Sequence, residues 1–329
     1  NGKSIFNHFI IYVYKLSWRG QTQVGIAATF SVEDYNRNII LKHEKTRKVK
    51  EDDRTNHIVT TQSQTGAVFL TYKGVDEVNE VVTKTMESEP LYDFTAPDGV
   101  THTIWQMPND YKDIVVFEIG KVRNLYIADG HHRAASASRA QKVMMDKNPN
   151  HVGDEEYNYF MAVLFPAEQL KILPYNRVVN NLNGNTKEEF LEKIKENFSV
   201  VETNSPDPDE TKQIKMYLDS SWYLLKPNEN VKESESIGDN LDVSILQDYL
   251  LTPVLGIKDP RTDKNIDFIG GIRGTEELVK LVDNGKAVAA FSMYPVSVDD
   301  LIKISDAGEI MPPKSTWFEP KLRDGLLTH

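Results

Sequence analysis

Residues 126–139 read YIADGHHRAASASR, setting an acid, a glycine, two histidines and an arginine in succession where an apolar stretch gives way to small residues. A strand that ends at Asp129-Gly130 and feeds a helix leaves the first backbone N–H groups of that helix without intrahelical partners, beside the positive end of its dipole. Such an end attracts anions. Gly130 lets a phosphate come close to the backbone, Arg133 offers a forked donor that faces the anion rather than the core, and His131 and His132 add further donors. Ala134, Ala135, Ser136 and Ala137 leave room around the group. The spacing also allows a plainer reading, with Asp129 as turn and cap residue and the histidines and Arg133 in surface hydrogen bonds. A metal is served less well. Side chains of consecutive helical residues diverge by about 100°, so His131 and His132 do not readily meet on one ion, and no metal ligand is assigned. A nucleophilic serine is weaker still, because no Gly-x-Ser-x-Gly elbow occurs.

Two further stretches carry chemistry. HEKTRKVKEDDR, residues 43–54, sets Glu44 at a strand end ahead of a basic loop, where a carboxylate serves as a general base or simply joins a solvated run of charge. PPKSTWFEPK, residues 312–321, holds Lys314, Ser315, Thr316 and Lys321, all phosphate-binding types, without the glycine-rich lead of a Walker loop. Packing of Trp317 and Phe318 explains that segment nearly as well. Gly270-Gly271-Ile272-Arg273-Gly274 is a weaker anion-loop candidate.

The elements that must position these residues are partly legible. Residues 9–16 (FIIYVYKL) and 22–30 (TQVGIAATF), joined through Arg19-Gly20-Gln21, predict a hairpin. Residues 50–62 predict a helix whose first turn suits Glu51 and Asp52, residues 67–72 a buried strand, and residues 78–88 an amphipathic helix. LYDFTA and VTHTIWQM flank an Asp98-Gly99 turn, a strong hairpin signal. Strands follow over 123–128 and 157–165, with a helix over 134–145 between them, and 170–179 completes a first α/β unit, residues 1–182. Thr186 to Glu189 reads as a capping box opening a second, smaller α/β unit, residues 183–329. That unit has a strand over 222–226, a helix over 243–251, and a β-α-β pattern in FIGGIRGTEELVKLVDNGKAVAAFSMYPV. Its end is too proline-rich for one regular element.

The 329 residues carry a net charge of −11, with a pI near 5.3, so a nucleic-acid duplex or an anionic membrane meets repulsion, and nucleic acid is not the expected partner. Any bound phosphate requires a local positive site. No cysteine is present, which excludes disulfides and thiolate chemistry and suits a reducing cytoplasm. No run of about 18 apolar residues predicts a membrane span. The chain begins Asn1-Gly2-Lys3 and enters an apolar stretch at once, as if residues upstream were missing.

HEKT, LYIADGHHRAA, ILPYNRVV and AGEIMPPKSTWFEPKLRDGL, in this order and over nearly the whole chain, resemble the family called domain of unknown function (DUF) 1015. Members carry an additional N-terminal segment, often with a Pro-Tyr-Asp stretch, that this sequence lacks. The strand-turn-helix is also similar to the phosphate-binding turn of the ParB and sulfiredoxin superfamily, a Gly-x-x-Arg that Gly130 and Arg133 match in spacing. That superfamily includes nucleotide-dependent free-serine kinases. The resemblance therefore implies a ParB/sulfiredoxin-like mixed-sheet domain over 1–182, lacking its N-terminal part, with the C-terminal α/β domain over 183–329 closing over the site. It implies a kinase-like enzyme that takes ATP or ADP with Mg²⁺ and phosphorylates a small hydroxylated metabolite, free L-serine among the candidates. Glu44 and Asp129 would be catalytic, and Gly130, His131, His132, Arg133, Lys314, Ser315 and Thr316 would bind phosphate. The alternative is a non-catalytic, nucleotide-binding regulatory module of ParB-like type, acting on a protein or DNA partner.

Overall fold

The computed structural model describes residues 10–329. The chain forms two compact units, one of residues up to Leu170 together with Pro320–His329, the other Lys171–Glu319. The expected division at residue 182 is displaced, and the last ten residues return to the first unit. The reason for the shift is strand pairing: residues 175–179 hydrogen-bond within the second sheet, not the first.

The first unit contains β1 (Tyr12–Trp18), β2 (Gln21–Ser31), α1 (Val32–Asn36), β3 (Ile40–Leu41), α2 (Lys48–Thr61), β4 (Val68–Tyr72) and α3 (Asp76–Met86). It continues with β5 (Tyr92–Thr95), β6 (Thr101–Gln106), α4 (Asn109–Lys121), β7 (Leu125–Asp129), α5 (His131–Lys147) and β8 (Tyr159–Pro166). The eight strands form one sheet in the order β3-β7-β4-β8-β2-β1-β6-β5. Two pairs, β3 with β7 and β4 with β8, are parallel and the remainder antiparallel, which makes the mixed sheet expected from the sequence.

Both hairpins form as read. Gly20 and Gly99 take positive φ at their turns, the conformation glycine adopts without strain. Phe9, placed at the start of the first strand by the sequence reading, lies outside the described residues. Helix α4 was not legible although Val115 and Ile119 are both fully buried four residues apart, because charged residues around them mask the period. The core is built where Val13, Ile26, Phe30, Leu70, Phe160 and Leu164 of the sheet meet Val78 and Val81 of α3, Ile119 of α4 and Ala134 and Ala137 of α5. Among the described residues no helix is long and apolar enough to cross a membrane.

The second unit contains β9 (Ile172–Leu173), β10 (Tyr175–Val179), α6 (Lys187–Lys195), β11 (Phe198–Thr203), β12 (Ile214–Leu218) and β13 (Ser221–Pro227). It ends with α7 (Asp242–Leu246), β14 (Ile266–Gly270), α8 (Gly274–Asp283), β15 (Ala289–Met293), α9 (Val298–Asp306) and β16 (Trp317–Phe318). A sheet ordered β11-β13-β12-β15-β10-β14 is antiparallel throughout, with β10 standing between the two strands of the expected β-α-β unit. The capping box forms, Thr186 Oγ1 accepting from the Glu189 amide at 3.2 Å while Glu189 accepts from the Thr186 amide at 2.9 Å. The helix expected over 243–251 is α-helical only to Leu246 and continues as a π turn over Gln247–Leu251, where Gln247 Nε2 donates to Thr252 Oγ1 and the Ile257 carbonyl.

Candidate functional site

Strand β7 is buried over Leu125 to Ala128 and emerges at Asp129. Gly130 reverses the chain at φ +99°, and the Ala134 amide donates to its carbonyl at 3.0 Å, closing the first turn of α5. A side chain here would collide. A Cβ on Gly130 would stand 2.7 Å from Arg133 Nε and 3.0 Å from its Cζ. The glycine therefore lets the guanidinium fold back across the turn, where Nη1 donates to the Ala67 carbonyl and Nη2 lies 3.5 Å from Asp129 Oδ2. The expectation that Arg133 serves an anion without tying the fold is thus corrected: its side chain links α5 to the entry of β4 and to the end of β7.

Asp129 has a second cationic partner. Lys321 Nζ lies 3.0 Å from Oδ2, brought there by the returning C-terminal segment. That segment is pinned by backbone bonds of Gly325 to the Thr65 carbonyl and of His329 with Gln64, in both directions. Burial pushes the Asp129 carboxyl up, but Lys321 and Arg133 together hold it well below the usual carboxylate range. Asp129 is consequently a fixed negative charge, ill suited to accept a proton near neutrality. Lys321 was recognised as a phosphate-binding type, whereas its pairing with Asp129 was invisible because 192 residues separate them.

The parallel β3 and β7 bring the second sequence motif to the same edge. Leu41 pairs with Tyr126, so Glu44 and Asp129 each lie three residues beyond a matched register position, past the same end of the sheet. The His43 ring stands edge-on to that of His131, with centroids 4.4 Å apart, and the His43 amide donates to His131 Nε2 at 3.4 Å. His132 Nε2 accepts from the Arg47 amide at 2.9 Å. Each neutral histidine therefore holds its remaining proton on Nδ1. His131 is buried and His132 partly so, which differs from two exposed donors. Burial, reinforced for His131 by His43 and for His132 by Lys50 and Arg54, holds both rings below the ordinary histidine value. The residues expected to leave room, Ala134 to Ala137, are instead buried, and Ser136 Oγ donates to the Glu51 carbonyl at 3.3 Å. Their smallness brings α5 close to α2 and the sheet.

His43 makes the site pH-sensitive. It is fully enclosed, and burial pulls it down to about 4 against the attraction of Asp129 and a backbone contact at Ile127. The folded value lies below the unfolded one, so stability is complete above about pH 6.5 and falls as the pH drops toward 4, by up to about 1.4 kcal/mol per unit for each such histidine. Urea unfolding between pH 8 and 4.5 is expected to show this decline in the parent protein and a shallower one in His43→Leu. Parallel curves would assign the acid sensitivity elsewhere.

Lys314, Ser315 and Thr316 belong to the second unit. Ser315 is buried and its hydroxyl donates to the Pro312 carbonyl at 2.7 Å, while Lys314 is exposed, with Nζ 5.3 Å from the Tyr175 ring centroid. Arg177, buried on β10, donates to the Lys314 carbonyl at 3.2 Å and holds this loop at positive φ. The glycines expected to cradle an anion do otherwise: a Cβ on Gly270 would meet the Trp317 ring at 2.8 Å, and one on Gly271 the Pro174 carbonyl at 2.6 Å. Those two glycines permit close packing of the loop around β16. Among the described residues no group of three or more His, Asp or Glu side chains could hold a metal ion.

Several solved structures share a loose likeness with the chain. A conserved hypothetical protein from Pyrococcus furiosus matches at 12% identity over 91% of this chain and 93% of its own, with a TM-score of 0.44. A free serine kinase in complex with AMP matches at 11% identity over 89% and 86%, with a TM-score of 0.43. SbnI of Staphylococcus aureus, with a C-terminal truncation, matches at 11% over 91% and 85%, with a TM-score of 0.46. No curated protein matches. The histidine turn, the HEKT strand end and the ILPYNRVV strand all lie within residues 7–244, which match the family model described as "Protein of unknown function (DUF1015)", and the chain belongs to that family.

Proposed function

We propose that this protein is a nucleotide-dependent phosphotransferase acting on a small hydroxylated metabolite, with free L-serine the first acceptor to examine and ATP or ADP the donor. The observation that carries the reading is the positive-φ Gly130 turn, which opens a 17-residue helix with the guanidinium of Arg133 folded across it. Such a helix start presents unpaired N–H groups and a positive dipole end to phosphate oxygens. The net charge of −11 favours a small anionic ligand at this local site over nucleic acid, and the absence of cysteine fits a cytoplasmic setting.

In this reading the amides of the first turn of α5, with Arg133 and the Nδ1 protons of His131 and His132, hold and neutralise the transferring phosphoryl group. Glu44 takes the acceptor's hydroxyl proton as its oxygen bonds to the terminal phosphorus and the bridging P–O bond to the departing nucleotide breaks. Asp129, committed to Lys321 and Arg133, fixes these cations in place. Lys314, Ser315 and Thr316 remain phosphate-binding candidates on the second unit's loop. Mg²⁺ binds typically through substrate phosphates, its own waters and one or two carboxylates, so it would enter with the nucleotide, without a cage of protein ligands.

The engagement of Asp129 by two cations favours a second reading, a regulatory module in which the turn binds a nucleotide without chemistry. One assay separates them. Purified protein incubated with ATP, ADP or CTP, Mg²⁺ and a pool of hydroxylated metabolites that includes L-serine is expected to yield a phosphorylated product detectable by mass spectrometry. Binding without product would favour the regulatory module, and neither binding nor product would reject both readings.

A further inference from the structure

Helix α2 carries a basic face whose partners in the chain do not explain it. Lys50, Arg54 and Ile58 recur at four-residue spacing with His57 beside them, and Arg54 and His57 are exposed. Arg54 makes no hydrogen bond or ion pair among the described residues, in contrast to Arg139, whose guanidinium takes Glu51 at 3.2 Å and Asp52 at 2.5 Å from the same helix. Arg54, His57 and Ile58 form one wall of a cavity of about 170 Å³, and Ser63, Gln64, Thr65 and Gly66 form another. Arg133 and Asp324 complete the lining.

At roughly 30 Å³ per water, that volume displaces five or six waters, enough for a phosphoryl group and some of its hydration. The turn is firmly held. Gln64 bonds the backbone of His329 through its own backbone, and its side chain donates to the Tyr159 carbonyl and accepts from the Met161 amide. Two guanidinium groups and an imidazole line the cavity against one carboxylate, Asp324, leaving a positive balance in a protein that is acidic overall. Arg133 is common to this cavity and to the Gly130 turn, so the two regions adjoin.

We propose that this cavity is a second phosphate subsite, in which Arg54 and His57 receive the next phosphoryl group of a polyphosphate chain whose neighbouring group lies at the start of α5. The inference rests on the phosphotransferase reading and assigns the residues that would hold the second phosphoryl group of its ADP or ATP donor. It also gives a role to Arg54, the last residue of the charged stretch HEKTRKVKEDDR.

Calorimetric titration of the protein with orthophosphate, pyrophosphate, AMP and ADP tests it, in the parent and in two variants. Arg54→Ala removes an exposed side chain that makes no hydrogen bond or ion pair among the described residues, so folding is unaffected. Gly66→Val fills the cavity directly, since a Cβ there would already lie 2.9 Å from Asp324 Oδ1 and 3.5 Å from Arg133 Cδ. The parent is expected to prefer pyrophosphate to orthophosphate, and ADP to AMP, by about tenfold or more, the lower end for a charge-assisted contact. Both variants are expected to lose that preference, and in Arg54→Ala, which leaves Arg133 in place, AMP and orthophosphate change by less than about twofold. A parent without the preference, or variants that keep it, would overturn the subsite and leave the nucleotide reading standing wherever AMP or ADP still binds. A parent that binds neither nucleotide would instead defeat the nucleotide reading, and pyrophosphate binding lost in Arg54→Ala would then retain the subsite for a simpler polyphosphate.

Discussion

Gly130→Val is expected to abolish phosphate and nucleotide binding and to destabilise the first unit. An L residue at φ +99° stores roughly 1–3 kcal/mol of backbone strain, and β-branching makes valine a poor occupant. The added Cβ, 2.7 Å from Arg133 Nε, also forces the guanidinium away from the Ala67 carbonyl and from Asp129. Losing one charge-assisted contact weakens affinity by about ten- to a hundredfold. Loss of the turn geometry adds to that, because the first amides of α5 no longer point in common. Gly120→Ala is the matched control, since nothing lies within 4 Å of a Cβ at that position on α4, and helix propensity there favours alanine by about 0.5–1 kcal/mol. Urea unfolding and phosphate titration of both proteins decide the matter. A Gly130→Val protein with parental affinity would remove the turn from the binding site, and one with parental stability would show that Arg133 does not tie the fold.

Glu44→Gln is expected to lower turnover by about 10² or more while nucleotide affinity stays within a few-fold, the scale on which a general base contributes. The expectation follows from a process of assignment at the sheet edge. Asp129 is the carboxylate nearest the helix start in sequence, yet Lys321 at 3.0 Å and Arg133 at 3.5 Å hold it ionised and occupied. His43 and His131 are enclosed, with burial pulling the one down to about 4 and the other well below the ordinary histidine value. Glu44 is half-buried, follows His43 directly, and shares its sheet edge with Asp129 through the parallel register of β3 and β7. Loss of kcat with unchanged KM for the nucleotide would support its role as base. Undiminished turnover in Glu44→Gln, set against a loss in Asp129→Asn, would transfer the role to Asp129.

Much of this was open to reading because it is local. The apolar run of residues 125–128, the Asp-Gly turn and the alanine-rich helix after it follow from period and turn chemistry within a dozen residues, and so does the capping box at Thr186. The motif order alone indicated the family. Tertiary structure decided which of the nominated side chains are available. Lys321 meets Asp129 across 192 residues of chain, His43 and His131 meet across 88, and no period or spacing encodes either contact. The parallel pairing of β3 with β7 sends the chain toward Glu44 and Asp129 past the same end of the sheet, and β10 joins the second sheet although its sequence reads as a continuation of the first unit. A sequence states which groups can bear charge or donate a proton, whereas burial and long-range pairing fix whether they do, since the cost of desolvating a charge depends on neighbours that only the folded chain supplies.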